Sequence, residues 1–135
     1  MITKSFSVAT NEDWRDNVTL ADALDLTGAT ALMQVKPCAG HPDDWIDLSS
    51  SGGNDEGLTF TLTPATKLVS WIIPQDRVWD IPPGSYALDI LVIYASGQRR
   101  REMIGTLTVT RGVTDAVRAD PVNVLDVGGP LLETE

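Results

Sequence analysis

Residues 81–98 read IPPGSYALDILVIYASGQ, and RRREMIGTLTVT follows at 99–110. Alternation along the first run places Tyr86, Leu88, Ile90, Val92 and Tyr94 on one face and Ala87, Asp89, Leu91 and Ile93 on the other. Ser96-Gly97 divides two long strands and reads as a tight hairpin turn. A two-residue turn there pairs Ala95 with Gln98, hence Ile90 with Met103 and Leu88 with Gly105. The first face then continues through Leu107 and Val109 and reads as core. Asp89 falls on the opposite face, across from Ile104, with Glu102 and Thr106 on its diagonals. A turn beginning one residue later sets Asp89 against Thr106 and leaves the faces unchanged. The second face also carries Leu91, Ile93 and Ile104, more apolar than a solvated face needs. A loop, the C-terminal tail or another subunit is expected to cover it.

The same period recurs along the chain. GLTFTLT (57–63) alternates Leu58, Phe60 and Leu62 with threonines, and TALMQVKP (30–37) sets Ala31, Met33 and Val35 on one side. Further strands are expected at 3–9, 18–20, 44–48 and 68–73. Roughly seven to eight short strands, punctuated by Gly, Pro, Asn and Asp, make the chain all-β, a sandwich or barrel. LADALDL (20–26) and TPATKLVSWI (63–72) each have room for a turn or two of helix. With 135 residues the chain fits one domain with one core. From Arg111 on, scattered single apolar residues, prolines and glycines replace any sustained period. The expectation is a sandwich over 1–112 and an extended tail over 113–135, lying outside the core.

Composition narrows the function classes. The net charge of −9 argues against general affinity for nucleic acid or anionic membranes. No apolar run approaches a membrane span, and the N-terminus lacks the apolar stretch of a secretory signal. The single cysteine, Cys38, excludes an internal disulfide and any multi-cysteine metal site. CAGHPDD (38–44) sets Cys38 near His41 and two aspartates, but a closed zinc site needs four ligands, so a polar turn is the preferred reading. NDEG (54–57) lacks the spacing of a calcium loop. No nucleophile motif, P-loop or dinucleotide fingerprint is present, and no catalytic residue, cofactor or metal is expected. Arg99, Arg100 and Arg101 form the only basic cluster, which alternation splits between two faces; it has the charge to meet an acidic partner, but a solvated strand end near the turn is the preferred reading. Of four tryptophans, Trp71 reads as core, whereas Trp14 and Trp45 stand beside charged residues and read as surface contacts.

DLTGATALMQVKP (25–37), GLTFTLT, PPGSYALDILVIYASGQ (82–98) and GTLTVTRGVT (105–114) follow in order. Together they resemble the immunoglobulin-like domain of phage and prophage tail proteins, similar to the N-terminal domain of the baseplate upper protein family. The shared outline includes D-L-T-G-A, a strand ending in a basic residue and proline, and a G-x-Y-x-x-D element, here Gly84, Tyr86 and Asp89. The resemblance covers about residues 1–117; the stretch 67–80 is longer than the pattern and leaves its strand count open.

The resemblance implies an immunoglobulin-like antiparallel β-sandwich and a structural or adaptor role in a tail or baseplate, without catalysis. The expected partners are other tail or baseplate proteins and further copies of the chain. The expected location is the virion tail, after assembly in the host cytoplasm. Expected contacts are Trp14, Trp45, Leu91, Ile93 and Ile104, with Asp89 hydrogen-bonded to nearby backbone or to Thr106. A carbohydrate-binding or adhesin module, stacking sugars on exposed tryptophans, is the alternative.

Overall fold

The alternating stretches become strands because each has one apolar face to bury. The computed structural model of the chain describes residues 1–114. Its elements are β1 (Ile2–Ala9), β2 (Trp14–Thr19), β3 (Thr30–Lys36), β4 (Ile46–Ser49), β5 (Thr59–Thr63), β6 (Leu68–Ile73), α1 (Gln75–Val78), β7 (Gly84–Ile93) and β8 (Arg99–Thr110). A five-stranded sheet in the order β1-β8-β7-β3-β4 packs on a three-stranded sheet in the order β2-β6-β5. The all-β sandwich expected from the period is therefore present. The pairing is not wholly antiparallel: β1 runs parallel to β8 from Ile2↔Met103 to Ala9↔Thr110. From residue 115 on, the expected tail lies outside the described residues.

The stretch 67–80 holds β6 followed by the short helix α1, which accounts for its extra length. Gln75 N–H donates to Asp13 Oδ1 (2.7 Å) and Gln75 Nε2 donates to the Thr10 carbonyl (3.1 Å), tying α1 to the β1–β2 turn. Neither LADALDL nor TPATKL is helical. In the first, Leu20, Ala23 and Leu26 are buried from a turn rather than a helix face. The second turns tightly at Lys67 (φ 55°), whose Nζ donates to the Ala23 carbonyl (2.7 Å).

Between the sheets lies an aromatic cluster. Trp71 packs edge-on against Phe6 and Trp14, each with ring centres 5.5 Å away, and lies 6.1 Å from Phe60. Phe6 and Trp14 also meet edge-on at 5.9 Å. Trp14, read from sequence as a surface contact, is 2% exposed. Its charged neighbours Asp13 and Arg15 point outward by strand alternation, while the indole turns in and donates to Asp16 Oδ2 (3.1 Å).

The β7–β8 hairpin differs from the simple expectation twice, and the two differences cancel. Its loop is Ala95-Ser96-Gly97, closed by Tyr94 N–H to the Gln98 carbonyl and Gly97 N–H to the Tyr94 carbonyl (both 2.8 Å), with Gly97 at φ 90°. A three-residue loop ending in a left-handed residue is a favoured hairpin closure. A bulge then skips Glu102, so that Ile90 pairs with Met103 but Leu91 with Arg101. Beyond the bulge the expected pairs Leu88↔Gly105 and Asp89↔Ile104 hold. Glu102 itself is no diagonal neighbour of Asp89, because the bulge turns it inward, where it is 1% exposed.

There the Tyr94 hydroxyl donates to Glu102 Oε2 and accepts the Leu24 N–H (3.1 Å). Arg100 Nε stands 3.4 Å from the same carboxylate oxygen, and Glu102 Oε1 has no hydrogen-bond partner among the described residues. This network joins the 20–29 turn to the hairpin. At the opposite end of β7, the Tyr86 hydroxyl donates to the Pro82 carbonyl.

Two predictions follow from this packing. At Gly105 a Cβ would lie 2.7 Å from the Lys4 carbonyl, so β1 approaches β8 as closely as it does only because that side chain is missing. Gly105→Ala is expected to cost about 1–3 kcal/mol in urea unfolding. Tyr94→Phe orphans the Leu24 N–H and removes the hydroxyl donor of a buried carboxylate, an expected loss of about 1–3 kcal/mol.

The same hydroxyls set an alkaline limit. Burial, and then the Glu102 hydrogen bond, raise the Tyr94 pKa, and burial raises that of Tyr86. The neutral hydroxyls are thus favoured in the folded state. Their contribution is complete below the ordinary tyrosine value of about 10 and is lost as pH climbs through the raised folded values. Unfolding free energy measured from pH 8 to 12 should fall above about pH 10, and fall less in the Tyr86→Phe/Tyr94→Phe variant.

Candidate interaction surface

Strand alternation gives the five-stranded sheet a second, outward face. Across its middle the register sets Gln34, Asp89 and Ile104 in one row and Leu32, Leu91 and Arg101 in the next. Thr30, Ile93 and Arg99 form a third row toward the hairpin, and Lys36, Ala87 and Thr106 a fourth on the other side. Leu32, Leu91, Ile93 and Ile104 are each half-buried and together form an apolar strip. Arg99 and Arg101 flank it on β8, Lys36 stands on β3 two rows from Leu32, and Asp47 of β4, paired with Gln34, shares the face.

In the middle of this face is a recess of about 190 Å³, lined by Gln34, Lys36, Ala39, Gly40, Ala87, Leu88, Asp89, Arg101 and Ile104. The β3–β4 turn, with Ala39 and Gly40, forms one wall. Leu91, Ile93 and Ile104 thus stand on one face, as the parity of the sequence requires. Asp89 shares it, but the hydrogen bond expected to backbone or Thr106 is not made. Among the described residues its carboxylate has no hydrogen-bond or ion-pair partner; its direct cross-strand neighbours are the amide of Gln34 and the apolar Ile104.

The other sequence candidates resolve into local roles. Cys38 and His41 belong to the β3–β4 turn: His41 N–H donates to the Cys38 carbonyl (3.1 Å), and His41 Nδ1 accepts the Asp43 N–H (3.1 Å). In NDEG, Asn54 bridges the Ser49 N–H (2.8 Å) and carbonyl (3.0 Å), and Asp55 pairs with Arg77 at 3.0 Å. Trp45 is 38% exposed and stands apart from Trp14, which is in the core. The three arginines separate as alternation requires, Arg99 and Arg101 outward and Arg100 toward Glu102.

Apart from Asp89, the residues of the two short motifs hold turns and a corner of the fold. In D-L-T-G-A, Asp25 Oδ1 accepts both the N–H (3.0 Å) and the hydroxyl (2.8 Å) of Thr27, which lower its pKa. Leu26 is buried, and Gly28 (φ 75°) brings the turn against Ala95 of the hairpin loop. In G-x-Y-x-x-D, Gly84 opens β7 and Tyr86 closes the Pro82 corner. The Tyr94–Glu102 network has no counterpart among the sequence candidates, because nothing in RRREM signals that a bulge turns the glutamate inward.

No family model matches the chain, and no curated protein does. Among solved structures it is similar to the first immunoglobulin domain of the mouse polymeric immunoglobulin receptor. The TM-score is 0.51 at 14% identity, over 82% of this chain and 92% of that one. The strand orders agree with the immunoglobulin plan: β2-β6-β5 correspond to B-E-D, and β8-β7-β3-β4 to G-F-C-C′. Tyr86 makes the tyrosine corner of that plan, but Leu88 occupies the position two residues on where antibody domains place their second cysteine. The chain has an immunoglobulin-like β-sandwich fold.

Proposed function

We propose that the chain is a non-enzymatic structural or adaptor component of a phage or prophage tail or baseplate and that it works through protein–protein packing. The observation that carries this reading is the outward face of the five-stranded sheet. It carries a half-buried strip of Leu32, Leu91, Ile93 and Ile104 beside charges of both signs, Lys36, Arg99 and Arg101 with Asp47 and Asp89. Apolar strips rimmed by charge are a common form of protein contact surface. The ordered resemblance of D-L-T-G-A, G-x-Y-x-x-D and the closing strand to tail proteins supplies the tail context. The sugar-binding alternative needs exposed stacking rings, and with Trp14 in the core it rests on Trp45 alone.

The test is to purify phage or tail particles from the organism that encodes the chain and to quantify their proteins by mass spectrometry. The chain is expected at fixed stoichiometry with other tail proteins, and its absence from intact particles overturns the tail assignment. Leu91→Glu is expected to reduce incorporation by at least about tenfold while leaving the melting transition in place, since a buried carboxylate without a partner is costly at an interface.

A further inference from the structure

We infer that the outer edge of β5 is a self-association site. Two copies of the chain pair β5 to β5, antiparallel about a two-fold axis at Thr61, and their three-stranded sheets join into one sheet in the order β2-β6-β5-β5-β6-β2. This does not depend on the tail assignment, and the two are tested by different readouts.

The first observation is which edges of the sandwich are guarded. The two sheets end in β1 and β4 and in β2 and β5. An edge strand offers a row of unpaired backbone N–H and C=O groups, and charged side chains on it discourage pairing with another chain. β1 carries Lys4, which has the core-side parity of Phe6 and Val8 yet is exposed. β2 carries Arg15 and Asp16, and the short β4 carries Asp47. β5 reads TFTLT, with no charge, proline or glycine. Its ladder to β6 runs without a bulge from Thr59↔Ile72 to Thr63↔Leu68, and no other described residue hydrogen-bonds its backbone.

The second observation is symmetry, and it names the occupant. TFTLT is nearly palindromic about Thr61. Antiparallel pairing with a second copy about that residue sets Thr59 against Thr63, Phe60 against Leu62 and Thr61 against itself. Strand parity is kept, so the threonines share the outward face while Phe60 and Leu62 stay on the core side. Thr–Thr neighbours across strands are favourable. The Phe60–Leu62 pairs cover Leu62, which faces the core but is only half-buried in a single copy. A two-fold contact needs one surface that complements itself, and this strand meets that condition from its own sequence.

The third is charge. Glu56 stands before the strand and Lys67 after it, so the two-fold axis brings the Glu56 end of one copy to the Lys67 end of the other. Asp55 is already paired with Arg77 at 3.0 Å. Asp47 of the adjoining β4 stands on the outer face of the other sheet, away from β5. What opposes association is the net charge of −9 on each copy, which salt screens.

A ladder this short makes a small interface, so the dimer is expected to form at about 0.1–1 mM chain. Sedimentation equilibrium in about 0.3 M salt should show monomer and dimer in exchange. Thr61→Lys sets like charges directly opposite and should weaken the dimer at least about tenfold. Thr61 is exposed, so the melting transition should stay in place. The register is read by cross-linking, because directly opposed residues have Cα atoms about 4.5–5.5 Å apart, within disulfide range. In a Cys38→Ser background, Thr61→Cys should oxidise to a covalent dimer. Thr59→Cys and Thr63→Cys should each fail alone, since each lies about 13 Å from its own copy, and should cross-link to one another when mixed. A chain that stays monomeric at about 1 mM overturns the proposal and leaves the edge to a strand of another protein. So does a dimer that Thr61→Lys leaves unchanged, or one that cross-links equally from all three positions.

Discussion

Nothing covalent joins the two sheets, so the sandwich depends on the packing of Trp71 against Phe6, Trp14 and Phe60. A disulfide in this position would contribute about 2–4 kcal/mol, largely by restricting the unfolded chain. Here edge-on aromatic pairs, each worth about 0.5–1.5 kcal/mol beyond area burial, do that work in the folded state. The three edge-on pairs take one residue from the five-stranded sheet (Phe6) and two from the three-stranded sheet (Trp14, Trp71), so they couple β1 across the core. Among the described residues the Trp71 N–H has no partner, a cost of about 1–3 kcal/mol.

β1 must lie close to β8 for Phe6 to reach that cluster, and this ties the aromatic core to the backbone. Gly105 allows the approach on one side, and the bond from Thr10 N–H to the Thr110 carbonyl (2.9 Å) closes it at the far end. At the hairpin end the bulge at Glu102 changes the register by one residue. Without it, a three-residue loop would shift the pairing between the lower halves of β7 and β8. The inward turn of Glu102 is the cost of that correction, and Tyr94 and Arg100 offset it by satisfying one carboxylate oxygen.

Much of this architecture was readable because strand period is a strong signal. The faces of β3, β5, β7 and β8 follow directly from alternation, and a two-residue loop already implies the pairs from Leu88↔Gly105 to Ile90↔Met103 although the loop has three residues. That success rests on two errors of opposite sign, an extra loop residue and an extra bulge residue. Trp14 was misplaced because its sequence neighbours are charged, and neighbours in a strand face the other way. The parallel β1–β8 pair carries no local signature, since direction is set by tertiary packing. Glu102 was unreadable for the same reason: a glutamate after three arginines has the composition of a solvated strand end.

The outward face shows why function is harder to read than fold. Its apolar residues were placed by parity alone, yet its electrostatics arise from strands far apart in sequence. Lys36 from β3 and Arg101 from β8 line one recess only because β7 pairs with both. Asp89 then sits between an amide and an isoleucine, with the two cations on its diagonals, and among the described residues has no partner of its own. A carboxylate left in that position is not needed to hold the sheet, since β7 is fixed by its ladders on both sides and by the Tyr86 corner. Together with Asp47, which pairs with Gln34 on the same face, it offsets part of the positive field of Lys36, Arg99 and Arg101.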